Sequence, residues 1–175
     1  SADRPDQLWV SDFTYIQTHS GWVYTAFIID VFSRAIVGWK VSTRMNTDMV
    51  LDALEQALHD RGMPKNVIHH SDRGVQYLSI RYTNRLEAAN LRASVGTTGD
   101  SYDNALAETV NGLYKTEVIE YLKADWQGLA DVQLATLNWV DWFNKKRVHS
   151  ALGYVSPFEF EAMYYDKINP LGQVA

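Results

Sequence analysis

A chain of 175 residues with 46% hydrophobic content and four prolines has the make-up of one compact domain with a substantial core, and a second domain is not needed. Its apolar runs are short and broken by charge, which excludes a long apolar membrane helix; the N-terminus lacks the basic-then-apolar order of a secretory signal, so a cytoplasmic location is expected. The absence of cysteine excludes disulfides and thiolate zinc sites, and a formal net charge of −5 argues against tight unaided DNA binding, because non-specific affinity comes from Lys and Arg displacing phosphate counterions.

In chain order, residues 8–16 and 22–30 are rich in β-branched and aromatic side chains and read as strands. They are joined through Thr18, His19, Ser20 and Gly21, with glycine where a hairpin needs a permissive backbone. Residues 35–41 make a third strand. Asn46 or Thr47 can cap a helix that runs to about Arg61, burying Val50, Leu51, Leu54, Ala57 and Leu58, with Gly62 and Pro64 as its stop. A strand follows near residues 66–70, then a helix over about 79–90, a strand near 91–95 and a glycine-flanked loop at 96–100, expected to be mobile. This order predicts an α/β fold.

Ser101 to Glu120 reads as a helix with two chemically different faces. At about 100° per residue, Asn104, Glu108, Asn111 and Lys115 share one stripe, while Leu106, Val110, Leu113, Tyr114 and Tyr121 lie roughly opposite. A solvated face would explain the polar stripe alone. Two further acids add to it. Asp12 interrupts the first strand, where a carboxylate is unfavourable unless something needs it, and Asp72 sits where a short apolar strand gives way to a turn, the position from which strand ends project into a site. Thirty-five residues separate Asp72 from Glu108, enough for a helix, a strand and a loop that return Glu108 beside the strand. Three carboxylates can then converge.

Trp9-Val-Ser-Asp-Phe-Thr-Tyr15, His69-His-Ser-Asp-Arg-Gly-Val-Gln-Tyr77, the 35-residue interval and Ser101-Tyr-Asp-Asn-Ala-Leu-Ala-Glu108 together resemble the catalytic core of the retroviral-integrase superfamily, the DDE transposases. His149-Ser-Ala-Leu-Gly-Tyr-Val-Ser-Pro157 narrows the likeness to bacterial insertion-sequence transposases expressed as an OrfAB frameshift fusion. The resemblance spans about residues 8–165. It implies a ribonuclease H-like fold, a mixed five-stranded sheet with helices on both faces, with Asp12, Asp72 and Glu108 as the catalytic and metal-binding triad. It also implies that Lys115 contacts DNA, that the active complex is a homo-oligomer on paired element ends, and that relatives carry an upstream helix-turn-helix region, which is expected to be missing from this fragment.

Hard oxygen ligands suit Mg²⁺ or Mn²⁺, and two such ions about 3.5 to 4 Å apart neutralise the attacking and leaving oxygens of phosphodiester transfer. The expected function is therefore metal-dependent DNA strand cleavage and strand transfer, as in DNA integration and recombination, with water or a 3′-hydroxyl as nucleophile. The alternatives are a ribonuclease H-like nuclease that uses only water, or a non-catalytic DNA-binding or assembly module. Ten of the sixteen Lys and Arg residues follow Asp72, so the second half is the expected DNA-facing half, with Asn111, Lys115, Lys145, Lys146 and Arg147 as candidate contacts.

Other residues carry structural readings. Asp103 or Asn104 can cap the Glu108 helix. Asp30, closing the second strand, can approach the metal site, but capping or pairing with Arg34 is the preferred reading. Strand alternation allows only one of His69 and His70 to face the site. His149 suits the organisation of its own turn. Trp126, Trp139 and Trp142 fall at helical spacing with Leu134, Leu137 and Phe143, which points to core packing rather than base stacking.

Overall fold

The computed structural model describes residues 2–71, 80–95, 101–121 and 125–170. Three strands come first: β1 (Leu8–Thr18), β2 (Gly21–Asp30) and β3 (Ile36–Ser42). They form an antiparallel meander, with Thr18 paired to Gly21 across the first turn. Gly21 has φ +107°, a conformation that favours glycine, and Thr18 Oγ1 donates to its carbonyl at 2.6 Å. The chain continues through α1 (Thr47–Asp60), β4 (Ile68–Ser71), α2 (Ile80–Ala88) and β5 (Arg92–Val95). Both β4 and β5 run parallel to β1, giving a mixed sheet of order β3-β2-β1-β4-β5.

One sheet face is covered by α1, which is capped by Asn46 and buries Met49, Val50, Ala53, Leu54, Ala57 and Leu58 against Trp9, Ile28 and Val37. Gly38 on β3 lets α1 approach: a Cβ there would meet the Ala53 carbonyl oxygen and lie 2.9 Å from Ala57 Cβ. The opposite face is covered by α3 (Ser101–Tyr114) and α4 (Leu129–Lys145), with α5 (Pro157–Ile168) closing the chain. Ala107, Val110, Tyr114 and Val118 pack there with Val10, Phe27, Ile29, Trp139 and Phe143.

Tyr114 ties the layers together. Its fully buried hydroxyl lies 2.7 Å from Thr136 Oγ1 on α4 and 3.2 Å from Thr25 Oγ1 on β2. Because Thr136 gives its own proton to the Val132 carbonyl, Tyr114 is the donor to Thr136 and Thr25 the donor to Tyr114. Burial pushes the phenol pKa up.

The structure departs from the sequence reading in several places. α3 gives way after Tyr114 to a π-helical segment, Lys115–Glu120, so the 3.6-residue stripe fails there and Tyr121 is exposed instead of packed. Leu134, Leu137 and Trp142 lie on the outer side of α4 and are exposed, whereas Trp126, Trp139 and Phe143 are buried as the packing reading required. α3 is already helical at Ser101, so Asp103 and Asn104 lie within it and do not begin it. The 96–100 loop lies outside the described residues.

Candidate active site

Even-numbered residues of β1 face the α3 layer, because successive strand side chains alternate. Val10 joins the α3-side core, whereas Trp9 joins the α1-side core. Asp12 shares the Val10 face, and Asn111 on α3 donates from Nδ2 to Asp12 Oδ2 at 2.8 Å. Asp12 Oδ1 accepts from the Phe13 amide at 2.9 Å. Among the described residues the parallel β1–β4 ladder reaches Ser11 opposite Ser71, and Asp12 follows directly on β1. Asp72 lies outside the described residues.

Asn111, expected on the outward stripe as a DNA contact, is instead only 9% exposed. Its amide nitrogen is committed to Asp12, and its Oδ1 is buried without a hydrogen-bond partner among the described residues. An α-helix brings residues three apart onto neighbouring positions, so the Asn111–Asp12 contact sets Glu108 one turn away along α3. Glu108 is exposed. Among the described residues no three His, Cys, Asp or Glu side chains converge as a metal group. Asp12, Glu108 and Asn111 Oδ1 are hard oxygen donors, the kind that suits Mg²⁺ or Mn²⁺ and not a soft metal.

The basic candidates separate. Lys115 opens the π segment with its Nζ 5.2 Å from the Tyr15 ring centroid. Arg147 faces inward: its Nε and Nη2 donate to Glu117 Oε1 at 2.8 and 2.6 Å, while Trp139 Nε1 donates to Glu117 Oε2 at 2.9 Å. That anchoring runs against its assignment to a DNA-facing surface. Lys145 pairs with Asp141 at 2.7 Å in solvent, and Lys146 is exposed.

Both strand histidines are buried. His69 shares a hydrogen bond of 2.8 Å with Ser11 Oγ on the α1 side, and burial lowers its pKa to about 3, so it is neutral. His70, opposite Val10, belongs to the α3 face. His149 packs edge-on to Phe143 with ring centroids 4.9 Å apart, its backbone bridges to Val155, and burial, then Arg147 and Arg34, lower its pKa to about 4.

Sequence reasoning missed a buried polar network. Asp30 Oδ1 accepts from the Asp6 amide and Oδ2 from the amide and hydroxyl of Ser33, rather than the Arg34 side chain. Ser33 Oγ also lies 2.6 Å from Glu161 Oε2, and Arg61 links Glu161 to Asp6. Glu161 is a hundred residues from Arg61, so no local signal could have disclosed the pairing; an Asp closing an otherwise apolar strand was the nearest hint.

A family profile described as Integrase core domain matches residues 2–101, and a second of the same description matches 89–157. The chain is 58% identical to the transposase for insertion sequence element IS629 of Shigella sonnei over 95% of this chain and 55% of that protein. It is 40% identical to the transposase InsF for insertion sequence IS3A of Escherichia coli K12 over 91% of this chain and 55% of that one. The chain thus spans little more than half the length of these relatives. Among solved structures, the HTLV-2 integrase catalytic core domain in complex with magnesium aligns at TM-score 0.71 and 19% identity, covering 90% of this chain and 97% of that one. The simian T-cell lymphotropic virus intasome aligns at TM-score 0.75 and 17% identity, over 90% and 55%. Those structures share its ribonuclease H-like fold, and the two profiles run across most of the sequence: the chain belongs to the integrase core domain family.

Proposed function

We propose that this domain performs metal-dependent cleavage and joining of DNA strands at insertion-sequence ends, with Asp12, Asp72 and Glu108 as its catalytic carboxylates. The observation that carries the reading is the Asn111–Asp12 hydrogen bond, which fixes a strand carboxylate against the helix that bears Glu108. Its support by kinship is the pair of insertion-sequence transposases that share the sequence.

In this reading the side chains act by position. The Asn111 amide holds one Asp12 oxygen, so the carboxylate enters the reaction already oriented, and preorganised charge needs no rearrangement when the transition state forms. Glu108, exposed on α3 one turn from Asn111, offers a further carboxylate. Two divalent ions held by these acids would supply the charge neutralisation that phosphoryl transfer requires. The HTLV-2 relative is a complex with magnesium, which supports Mg²⁺ as the ion. The nucleophile is water in cleavage and a freed 3′-hydroxyl in joining. Lys115 takes a phosphate of the bound strand. The reacting species is a homo-oligomer on DNA, in keeping with relatives solved as a trimer, a dimer and an intasome.

Supercoiled plasmid and an oligonucleotide with a free 3′-hydroxyl, incubated with the chain and Mn²⁺, test this. Nicking together with a covalent oligonucleotide–plasmid product supports transfer. Nicking alone would identify a nuclease, and neither product, at concentrations where the chain binds DNA, would count against an enzyme.

A further inference from the structure

Beside the carboxylates the structure holds a feature that the triad does not use. Tyr15 lies three residues past Asp12 on β1, and Trp22 lies diagonally across the hairpin, with ring centroids 5.3 Å apart and planes at 83°. Tyr15 is 55% exposed and Trp22 50%. A diagonal cross-strand pair stabilises a hairpin, which explains why the rings touch. It does not explain the third member, Lys115, whose ammonium stands 5.2 Å from the Tyr15 centroid.

Tyr15 belongs to the odd-numbered face of β1 and Lys115 to the α3 layer, on opposite sides of the sheet. Among the described residues β4 pairs with β1 only as far as Ser11, and Lys115 nevertheless reaches the Tyr15 ring. The cation and the two half-exposed rings thus lie together a few residues beyond Asp12 along β1. Three strand residues span roughly 10 Å, about three stacked nucleotides at 3.4 Å each.

Resting on the strand-transfer reading above, we propose that Tyr15, Trp22 and Lys115 form a ledge that takes an unstacked nucleotide of the reacting DNA strand, its base on the exposed rings and its phosphate at Lys115. A π-face accepts any base, so the ledge holds a frayed end without reading its sequence. Charge complementarity and continuity with Asp12 favour a nucleic-acid strand over an apolar partner. A duplex keeps its bases stacked and has nothing to offer the rings, so the ledge discriminates in favour of single-stranded tails.

The test uses the whole chain and two DNAs, a blunt duplex and the same duplex with a 3′ single-stranded tail carrying 2-aminopurine, whose emission falls on stacking. The parent should quench the tail and bind it more tightly than the blunt duplex. Tyr15→Thr and Trp22→Thr keep strand-compatible residues, and each should weaken tail binding roughly tenfold, as expected for one lost base–aromatic contact, with blunt-duplex binding unchanged. Tyr15→Phe should behave as the parent. If the parent binds both DNAs alike without quenching, or if the folded threonine variants quench as the parent does, the ledge is overturned while strand transfer stands. A parent that binds neither DNA overturns the strand-transfer reading and the ledge with it.

Discussion

Asn111 and Arg147 show how one polar side chain is worth different things in different surroundings. The Asn111 amide bonds a carboxylate, a charge-assisted contact, yet leaves its own oxygen buried and, among the described residues, unpaired, so its net effect on stability is small and its effect on orientation large. Asn111→Ala should therefore slow strand joining by on the order of tenfold to a hundredfold while shifting the melting temperature by only a few degrees. Single-turnover joining assays beside thermal melts check this; a variant that joins normally would remove Asn111 from the site. Arg147 and Lys115 make a second contrast. Lys115→Ala should weaken DNA binding and flatten its salt dependence by about one unit of slope. Arg147→Ala leaves the Glu117 carboxylate without its guanidinium partner while Trp139 still donates to it, and should cost about 1–3 kcal/mol of stability without changing the salt slope. Binding titrations across salt, with urea denaturation of both variants, separate the two, and equal slopes for both would contradict the assignment.

Among the elements, those set by local pattern were legible in advance. The meander follows from strand composition and the Gly21 turn, and α1 from an Asn46 cap and an apolar stripe. The Lys115–Glu120 segment was not, because a π turn changes the residues that share a face without a compositional mark, and Tyr121 was misplaced as a result. Docking of α5 was equally hidden, since Glu161 finds Ser33 and Arg61 only in three dimensions. That junction has a pH signature. Ser33 Oγ carries one proton but lies within 3.0 Å of Asp30 and 2.6 Å of Glu161, so it cannot donate to both carboxylates. Burial, opposed by the Ser33 and Asp6 amides and aided by Glu161, raises the Asp30 pKa to about 6. Arg61 and Tyr165 complete the charged surroundings. Because the folded pKa exceeds the unfolded one, the stabilisation contributed by protonated Asp30 is complete below about pH 4 and lost as pH rises through about 6. Two units correspond to on the order of 3 kcal/mol. Denaturation of the parent should show this contribution falling between about pH 4 and about pH 6, and Asp30→Asn should abolish that slope. An identical slope in the variant would place the titration elsewhere.

For the molecule as a whole, the fold was readable from the order of its elements, and the proposed chemistry rests on three short motifs in that order, around Asp12, Asp72 and Glu108. The stripe on the Glu108 helix was legible only in part. Its Glu108 end is exposed as expected, but Asn111 turns under the helix because β1 offers it a carboxylate. Likewise, charge counting along the sequence could not tell that Arg147 is held by Glu117. The net charge of −5 remains a property of the whole surface, and predicts that this chain alone binds DNA weakly and without sequence preference at physiological salt. Competition between an insertion-sequence end and random duplex should show no discrimination; clear end preference would mean that the domain itself reads sequence.

The claim on which the rest depends is that the three carboxylates form one cation site. Crystals of the chain soaked in millimolar Mn²⁺ and measured at the manganese absorption edge test it directly. Anomalous density is expected on Asp12, shared with Asp72 or Glu108, at about 2.0 to 2.2 Å from carboxylate oxygens, and is expected to be lost in Asp12→Asn crystals of unchanged fold. Manganese bound elsewhere, with Asp12 bare, would contradict it.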